Sequence, residues 1–234
     1  KTKQELQRME KNIAKHQEAI AKAKAKEEAR RKALEAKEKA LAAEQERLNK
    51  LQTELKSRSA RVDELEGMIA AKEESMRKLK ETLSKALNSF EGKGLTVEQK
   101  NGKVYVSMEN KLLFGSGSWA VGTEGKRAVV EVGKVLGVNP DISVLIEGHT
   151  DNVPYGGTGQ IVDNWDLSTK RATAIVNIIA ENKAVDKKNL TAAGRGEYAP
   201  LAPNTTAEGK AKNRRIEIIL TPKLDEISKM LNDL

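Results

Sequence analysis

The chain has no cysteine, which excludes a disulfide framework, a cysteine metal site and a cysteine nucleophile. Aromatic residues make up only 3% of the 234 residues, and none precedes Phe90, so the first part of the chain has no rings to stack on nucleic-acid bases. We therefore expect no nucleic-acid partner. No apolar run approaches the roughly 20 residues that a membrane-spanning helix needs.

Glycine and proline are almost absent from residues 1–91, which contain Gly67 and no proline. All five prolines of the chain follow this stretch. Because both residues interrupt regular structure, the change of composition predicts a long helix followed by a compact unit. The expected division is a helical spacer at 1–91, a linker and β-hairpin at 92–110, a globular domain at 111–222 and a helical tail at 223–234.

The net charge of +8 is concentrated in the helical part. Residues 1–94 hold 24 of the 42 basic residues but 17 of the 34 acidic ones, so the remainder of the chain is nearly neutral. The basic residues alternate with acidic ones along the helix, which is typical of a solvated surface. The charge does not indicate a basic binding patch.

A seven-residue repeat runs through the predicted helix, from Leu6 to Phe90. Every seventh residue is apolar except Glu27, whereas the second seam position is polar about as often as apolar. Such a repeat predicts a coiled coil and self-association, most clearly from Leu48 to Phe90. The alternative is a solitary charged helix stabilised by helix propensity and i,i+4 ion pairs.

The compact part alternates between strand and helix patterns. Asn101-Gly102, flanked by alternating apolar residues, predicts a hairpin over 95–108. A helix near 123–137 and a buried strand at 142–148 follow. Further on we expect a helix from about 167 to 182 and a strand-like segment at 189–194. A loop at 195–213 and a last strand at 214–222 complete the pattern. The fold class is α+β: a βαβαβ sandwich with a mixed sheet and helices on one face.

A candidate site lies where the 142–148 strand ends and the next helix begins. Asp151 follows the strand, and we expect Asp166 or Ser168 to cap the helix, with Arg171 in its first turn. An acid from one loop and an arginine near a helix N-terminus could hold the ammonium and the carboxylate of an amino-acid end. The same two residues could equally form a structural ion pair, and the residues alone do not separate these interpretations.

Three blocks carry a family resemblance: GHTDNVP at 148–154, NWDLSTKRA at 164–172 and NRRIEI at 213–218. In this order they resemble the OmpA/MotB-type peptidoglycan-associated domain over roughly residues 110–221. The resemblance implies that Asp151 and Arg171 grip the diaminopimelate residue of the peptidoglycan stem peptide. It also implies supporting roles in shaping or bracing the pocket for Thr150, Asn164, Leu167, Ser168, Asn213 and Arg215.

The NRR block also has a structural interpretation, in which Asn213 caps an edge strand and Arg214 or Arg215 faces solvent. The long stretch between the first two blocks is more similar to the MotB branch than to porin tails. The resemblance therefore implies a periplasmic or envelope protein that anchors to the cell wall without a cofactor. A MotB-type stator component is the alternative, although the sequence contains no membrane helix with an acidic residue. The chain begins at Lys1, so we expect any attachment to the inner or outer membrane to depend on a segment upstream.

A peptidoglycan hydrolase is the remaining alternative. A zinc enzyme would need several histidines in one cleft, but the chain has only His16 and His149. A serine hydrolase would have to combine Ser168, His149 and Asp151, yet the sequence has no nucleophile-elbow motif. We therefore expect a binding protein with no metal and no catalytic residue.

Overall fold

The computed structural model describes residues 2–157, 159 and 161–232, which form two compact units that meet between Glu64 and Leu65. The first unit is helical throughout. The second contains the end of the same helix and all the other elements. In chain order the elements are α1 (Thr2–Leu87), β1 (Leu95–Lys100), β2 (Lys103–Glu109), α2 (Asn110–Leu113), α3 (Thr123–Gly137), β3 (Ile142–His149), α4 (Asn164–Ala180), β4 (Leu190–Gly194), α5 (Ala207–Asn213), β5 (Arg215–Pro222) and α6 (Asp225–Asn232).

The strands form one sheet in the order β1-β2-β5-β3-β4. Only β3 and β4 are parallel, and the other neighbours are antiparallel, so the predicted mixed sheet and α+β class are confirmed. The predicted hairpin is confirmed as β1 and β2. Its turn residues Asn101 and Gly102 have φ values of 52° and 69°, as a two-residue turn with left-handed backbone requires.

The two faces of the sheet differ because side chains alternate along each strand. One face carries Val106, Ile218 and Ile146, which lie side by side on β2, β5 and β3 and are fully buried. Helices α3 and α4 pack on this face and contribute Val132, Ile175 and other apolar residues to the same core. The opposite face carries the charged residues of β3 and β5, which are described with the site below.

The first unit is a helix in which every described residue except the partly buried Arg61 is exposed. Ion pairs such as Glu18–Lys22 and Glu46–Lys50 join residues four apart in the favourable acid-first order, each with a stabilisation of a few tenths of a kcal/mol. The apolar heptad residues remain open to solvent; Leu41 and Leu55, for example, are 76% and 69% exposed. Helix propensity and ion pairs therefore account for the stability of this unit as an isolated chain.

The last turns of α1 depart from the coiled-coil expectation. Met76, Leu83 and Phe90 occupy the same heptad position as the exposed leucines, but they are 0–3% exposed and belong to the core of the second unit. Leu79 and Leu87 join them there. The expectation of an inter-chain seam reaching Phe90 is therefore wrong for this stretch, because the domain itself covers the apolar side of the helix. The compact units accordingly meet near residue 64, whereas the composition placed the change near residue 91.

Several other helices differ in position from the expectation based on the apolar pattern. Helix α4 begins at Asn164, three residues before the expected start, and α5 lies in a segment expected to be a loop. Helix α2 forms in an apolar stretch for which no helix was expected. Helix α6 occupies the expected helical tail, whose last two residues lie outside the described part. Among the described residues, no helix combines the length and apolar character needed to cross a bilayer.

Alanine substitution at two equivalent heptad positions tests whether the end of α1 is buried in the core while its earlier part is exposed. Leu83→Ala should lower the free energy of unfolding by about 2–5 kcal/mol because it leaves a cavity in the core. Leu41→Ala removes an exposed side chain and should change it by less than about 0.5 kcal/mol. Urea denaturation followed by tryptophan fluorescence reports on the domain, since both tryptophans lie in it. Equal losses for the two variants would contradict the packing described here.

Candidate functional site

Two paired glycines let α4 sit directly on the ends of β3 and β4. Gly148 and Gly194 are neighbours in the parallel ladder. A β-carbon at Gly148 would lie 2.1 Å from the carbonyl oxygen of Ser168, and one at Gly194 would lie 2.1 Å from the hydroxyl oxygen of Thr169. Any larger residue at either position would push the helix away. This close approach places the first two turns of α4 beside the loop that leaves β3.

Asp163 caps α4. Its carboxylate accepts the backbone N–H of Asp166 at 2.9 Å, and the carboxylate of Asp166 accepts the N–H of Val162 at 2.9 Å. The expectation that Asp166 or Ser168 is the cap was therefore wrong, because both lie inside the first turns. Arg171 consequently falls at the end of the second turn, beyond the free N–H groups of the helix start. Its environment, and not the helix terminus, determines what it can bind.

Asp151 lies just after β3 and is 6% exposed. One carboxylate oxygen accepts the backbone N–H of Val153 at 3.1 Å, and the other accepts a very short hydrogen bond from the guanidinium of Arg214. Arg214 is the residue immediately before β5, and its side chain is 39% exposed. Asp151 thus has a partly exposed cation as its partner. The sequence pattern identifies Arg214 only as a candidate solvent-facing charge.

Arg171 is 4% exposed and held rigidly. Its Nε–H donates to the carbonyl of Ser118 at 2.9 Å, and its guanidinium carbon lies 5.2 Å from the centre of the Phe114 ring, within cation–π range. Burial lowers the pKa of Arg171 to about 10, Tyr155 and Asp151 act to raise it, and Arg214 lowers it. The guanidinium therefore stays charged at neutral pH in a partly desolvated position, close enough to Asp151 and Arg214 for their charges to act on it.

Asn164 and Thr150 shape the loops around Asp151. The amide of Asn164 donates to the carbonyl of Val153 at 3.0 Å and to the carboxylate of Glu197 at 2.8 Å, with a longer contact to the carbonyl of Asp151 at 3.4 Å. The backbone N–H of Thr150 donates to the carbonyl of Gly196 at 2.9 Å. Its buried hydroxyl has no hydrogen-bond partner among the described residues. Leu167, on α4, is buried at 5% exposure.

Ser168 is a structural link between α4 and the loop after β4. Its hydroxyl donates to the carbonyl of Trp165 at 3.0 Å and accepts the N–H of Gly196 at 3.1 Å, and the residue is fully buried. Neither nitrogen of His149 has a hydrogen-bond partner among the described residues. The hydrogen bonds that a serine hydrolase would need between Ser168, His149 and Asp151 are therefore not formed in the described part of the chain.

Asn213 and Arg215 brace the segment between β4 and β5. The side-chain oxygen of Asn213 accepts the N–H groups of Leu201 and Ala202 at 2.7 and 3.0 Å, and its amide donates to Ala202 and Asn204. Arg215 donates to the carbonyl of Ala199 at 3.2 Å. Arg215 lies on the charged face of the sheet, so the structure brings Arg214, and not Arg215, to Asp151. Of the residues expected in the pocket, Ser168, Asn213 and Arg215 act as supports.

With this geometry established, comparison with known proteins gives the family of the second unit. Residues 113–214 match the OmpA family, a stretch that covers the first two sequence blocks and the first two residues of the third. This stretch is an OmpA family domain.

Known relatives of the OmpA domain include motility and anchor proteins. The chain is 36% identical to Motility protein B of Bacillus subtilis over 118 residues, which is 50% of this chain and 45% of that protein. It is 30% identical to the cell wall anchor of the T6SS from Pseudomonas aeruginosa, with a TM-score of 0.55 over 60% of this chain and 97% of that one. The periplasmic domain of Helicobacter pylori MotB shares the fold, with a TM-score of 0.55 at 24% identity over 62% and 89% of the two chains. The chain spans less than half the length of the Bacillus relative.

The charged face of the OmpA domain contains the one group of described residues that has metal-ligand chemistry. Glu147, His149 and Glu217 offer ligand atoms within 4.8 Å of one another. However, Arg215 bonds Glu217 at 2.7 Å and Arg195 lies 3.8 Å from Glu147, so arginines already supply the counter-charges. We interpret the group as an ion-pair network.

His149 is uncharged within this network. Burial, with the nearby Arg215 and Arg195, lowers its pKa to about 3, although the carboxylates of Glu147 and Glu217 lie 3.5 and 3.9 Å away. Since the unfolded chain takes up the proton near pH 6.5, stability contributed by neutral His149 is present above that pH and is lost as the pH falls towards 3.

Alanine substitution at Gly148 and at Gly67 tests the close contact of α4, because the two variants should differ in their effect on stability. Gly148→Ala should lower the free energy of unfolding by about 1–3 kcal/mol, because backbone atoms of α4 must move. Gly67→Ala lies in α1 with nothing within 4 Å of the added carbon, so it should be neutral or stabilising by up to about 1 kcal/mol. Urea denaturation measures both. A neutral Gly148→Ala would show that α4 does not sit as closely on the strands as described.

Proposed function

We propose that the OmpA domain anchors this chain non-covalently to peptidoglycan by binding the diaminopimelate end of a stem peptide. The observation that carries the proposal is the buried Arg171 beside Asp151, with the half-exposed Arg214 as a third charge. A free amino-acid end carries one ammonium and one carboxylate. The site offers an anion for the first and cations for the second.

Binding requires an exchange of partners at Asp151. In the free protein Arg214 occupies one oxygen of its carboxylate. A ligand ammonium would replace that guanidinium, which is sufficiently exposed to move. The ligand carboxylate would then be bound by Arg171 and the released Arg214. Charge-assisted hydrogen bonds of this kind contribute about 1.5–3 kcal/mol each when both partners are ordered.

Arg171 is suited to the role of fixed contact. Ser118 and Phe114 hold its guanidinium before any ligand arrives, so little side-chain entropy remains to be lost on binding. A purely structural arginine would be expected to pair directly with Asp151, which pairs with Arg214 instead. The relatives support the same conclusion, since one of them is described as a cell wall anchor. A wall-binding role places the chain in the cell envelope.

Co-sedimentation with purified sacculi tests whether Asp151 and Arg171 bind peptidoglycan. Asp151→Asn and Arg171→Lys keep the size of the side chain but remove the charge or the forked guanidinium geometry. Each should reduce the bound fraction by roughly tenfold or more, which corresponds to the loss of about one charge-assisted hydrogen bond.

Matched controls are Asp141→Asn and Arg127→Lys, which change exposed residues of the same types elsewhere in the domain. Both should sediment like the unchanged protein. Circular dichroism checks that all four variants are folded. If folded Asp151→Asn and Arg171→Lys variants bind sacculi as well as their controls do, the proposed site is wrong.

A MotB-type stator component is a second candidate, favoured by the 36% identity to Motility protein B. The genomic sequence that precedes Lys1 distinguishes the candidates. A membrane helix carrying an aspartate there would support a stator role. A lipidation motif or a cleavable signal would support a wall-anchored envelope protein outside the motor.

We also propose that the first unit associates with another copy of itself and serves as a spacer. Its heptad leucines and isoleucines, including Ile13, Leu34 and Leu41, are 45–76% exposed in the single chain. An apolar series of this length, interrupted only at Glu27, is stabilised when a second helix covers it.

Sedimentation equilibrium of the whole chain measures this association. The unchanged protein should show a concentration-dependent mass above that of the monomer. Leu41→Asp together with Leu48→Asp should shift the equilibrium towards monomer, while Leu231→Asp, at an exposed leucine of α6, should not. A strictly monomeric unchanged protein would contradict the proposal.

A further inference from the structure

An exposed aromatic pair lies next to the proposed peptide site. The rings of Trp165 and Tyr198 stack with their centres 5.2 Å apart and an interplanar angle of 23°. They are nevertheless 47% and 68% exposed. The chain has only two tryptophans and three tyrosines. Rings of this size are usually buried, so a stacked and solvent-facing pair indicates a surface that contacts a ligand.

The pair is held by the same residues that build the peptide site. Trp165 is the second residue of α4, and Gly196 lies beneath both rings: a β-carbon there would be 3.5 Å from Tyr198 and 3.6 Å from Trp165. Gly196 accepts a hydrogen bond from Thr150 and donates one to Ser168. The aromatic surface is therefore fixed relative to the loop that carries Asp151.

Trp165 opens onto a groove of about 740 Å³. Trp119 also lines this groove, so it contains both tryptophans of the chain. The rest of the lining consists of Gly159 and Ile161, which precede α4, and of four polar residues of α4: Asp166, Thr169, Lys170 and Thr173. Tyr198 is not part of the lining, but its ring stacks on the indole of Trp165. Two indoles beside a row of hydroxyl, carboxylate and ammonium groups form an amphipathic surface.

Such a surface matches the chemistry of a sugar ring. A pyranose has a face of C–H groups that packs on an aromatic ring and a rim of hydroxyl or amide groups that form hydrogen bonds. We propose that the groove beside Trp165 is a subsite for the glycan of the wall polymer, adjoining the stem-peptide site. The inference rests on the proposed function, because it takes the ligand to be peptidoglycan.

The spacing along α4 agrees with the length of the ligand. Trp165 and Arg171 are six residues apart, which is about 9 Å along the helix axis. Two stem-peptide residues separate diaminopimelate from the sugar, and they span about 7 Å when extended. The two lengths are of the same order, so we expect a single sugar-bearing stem peptide to contact both the groove and Arg171.

Calorimetry with two soluble ligands tests the subsite on the whole chain. One ligand is a tripeptide that ends in diaminopimelate, and the other is the same tripeptide attached to its disaccharide. The disaccharide form should bind roughly 3- to 10-fold more tightly, the range expected for one aromatic contact. Trp165→Ala should abolish this difference and leave tripeptide affinity unchanged. Val138→Ala, an exposed apolar residue outside the groove, should preserve both values.

The outcomes separate the two proposals. Equal affinities of the unchanged protein for the two ligands, or a difference that persists in Trp165→Ala, would overturn the glycan subsite and leave the peptide site standing. No binding of the tripeptide would overturn the peptide site. In that case the subsite stands only if the disaccharide form still binds and loses its affinity in Trp165→Ala.

Discussion

The geometry of the domain depends on the close contact between α4 and the paired glycines of β3 and β4. The absence of side chains at Gly148 and Gly194 lets backbone and hydroxyl atoms of α4 lie where a β-carbon would otherwise be. This contact brings Arg171 from the helix to the loop that carries Asp151. It also places Ser168 under Gly196 and Trp165 beside Tyr198. Both proposed subsites therefore depend on the same packing constraint.

The charges of the free site are satisfied internally, which has a functional consequence. Asp151 is paired with Arg214, and Arg171 is held by a backbone carbonyl and an aromatic face. In the proposed binding mode a ligand displaces Arg214, so part of the energy of its charge-assisted bonds would offset the loss of that pair. On this proposal, affinity for a single amino-acid end would be limited. An adjoining sugar contact would add affinity without requiring another ion pair to be broken.

Local patterns were sufficient to predict several elements from the sequence. Asn101-Gly102 specified the hairpin turn, and apolar spacing specified α3 and β3, because in these segments the pattern and the local chemistry agree. The α+β class followed from their alternation. The resemblance of the three blocks directed attention to Asp151 and Arg171, which the structure brings to the same end of the sheet.

The remaining features depend on tertiary contacts that a sequence pattern does not contain. A heptad repeat shows that one side of a helix is apolar but not what covers it, so Leu83 was expected to face another chain and instead lies in the core. The sequence also did not show which of two neighbouring arginines pairs with Asp151. Arg214, immediately before β5, forms this pair, whereas Arg215 begins β5 and faces the charged side of the sheet. The start of α4 was misplaced because Asp163, and not a residue of the apolar pattern, caps it.

The central claim is that Arg171 and Asp151 hold opposite ends of one amino-acid group. Nitrogen-15 NMR of the arginine Nε–H groups and the loop amides during titration with a diaminopimelate-ending tripeptide tests it most directly. The account predicts saturable shifts of Arg171, Arg214 and Val153 with one common dissociation constant, and loss of those shifts in Asp151→Asn. Saturable binding that leaves these three signals unchanged would contradict it.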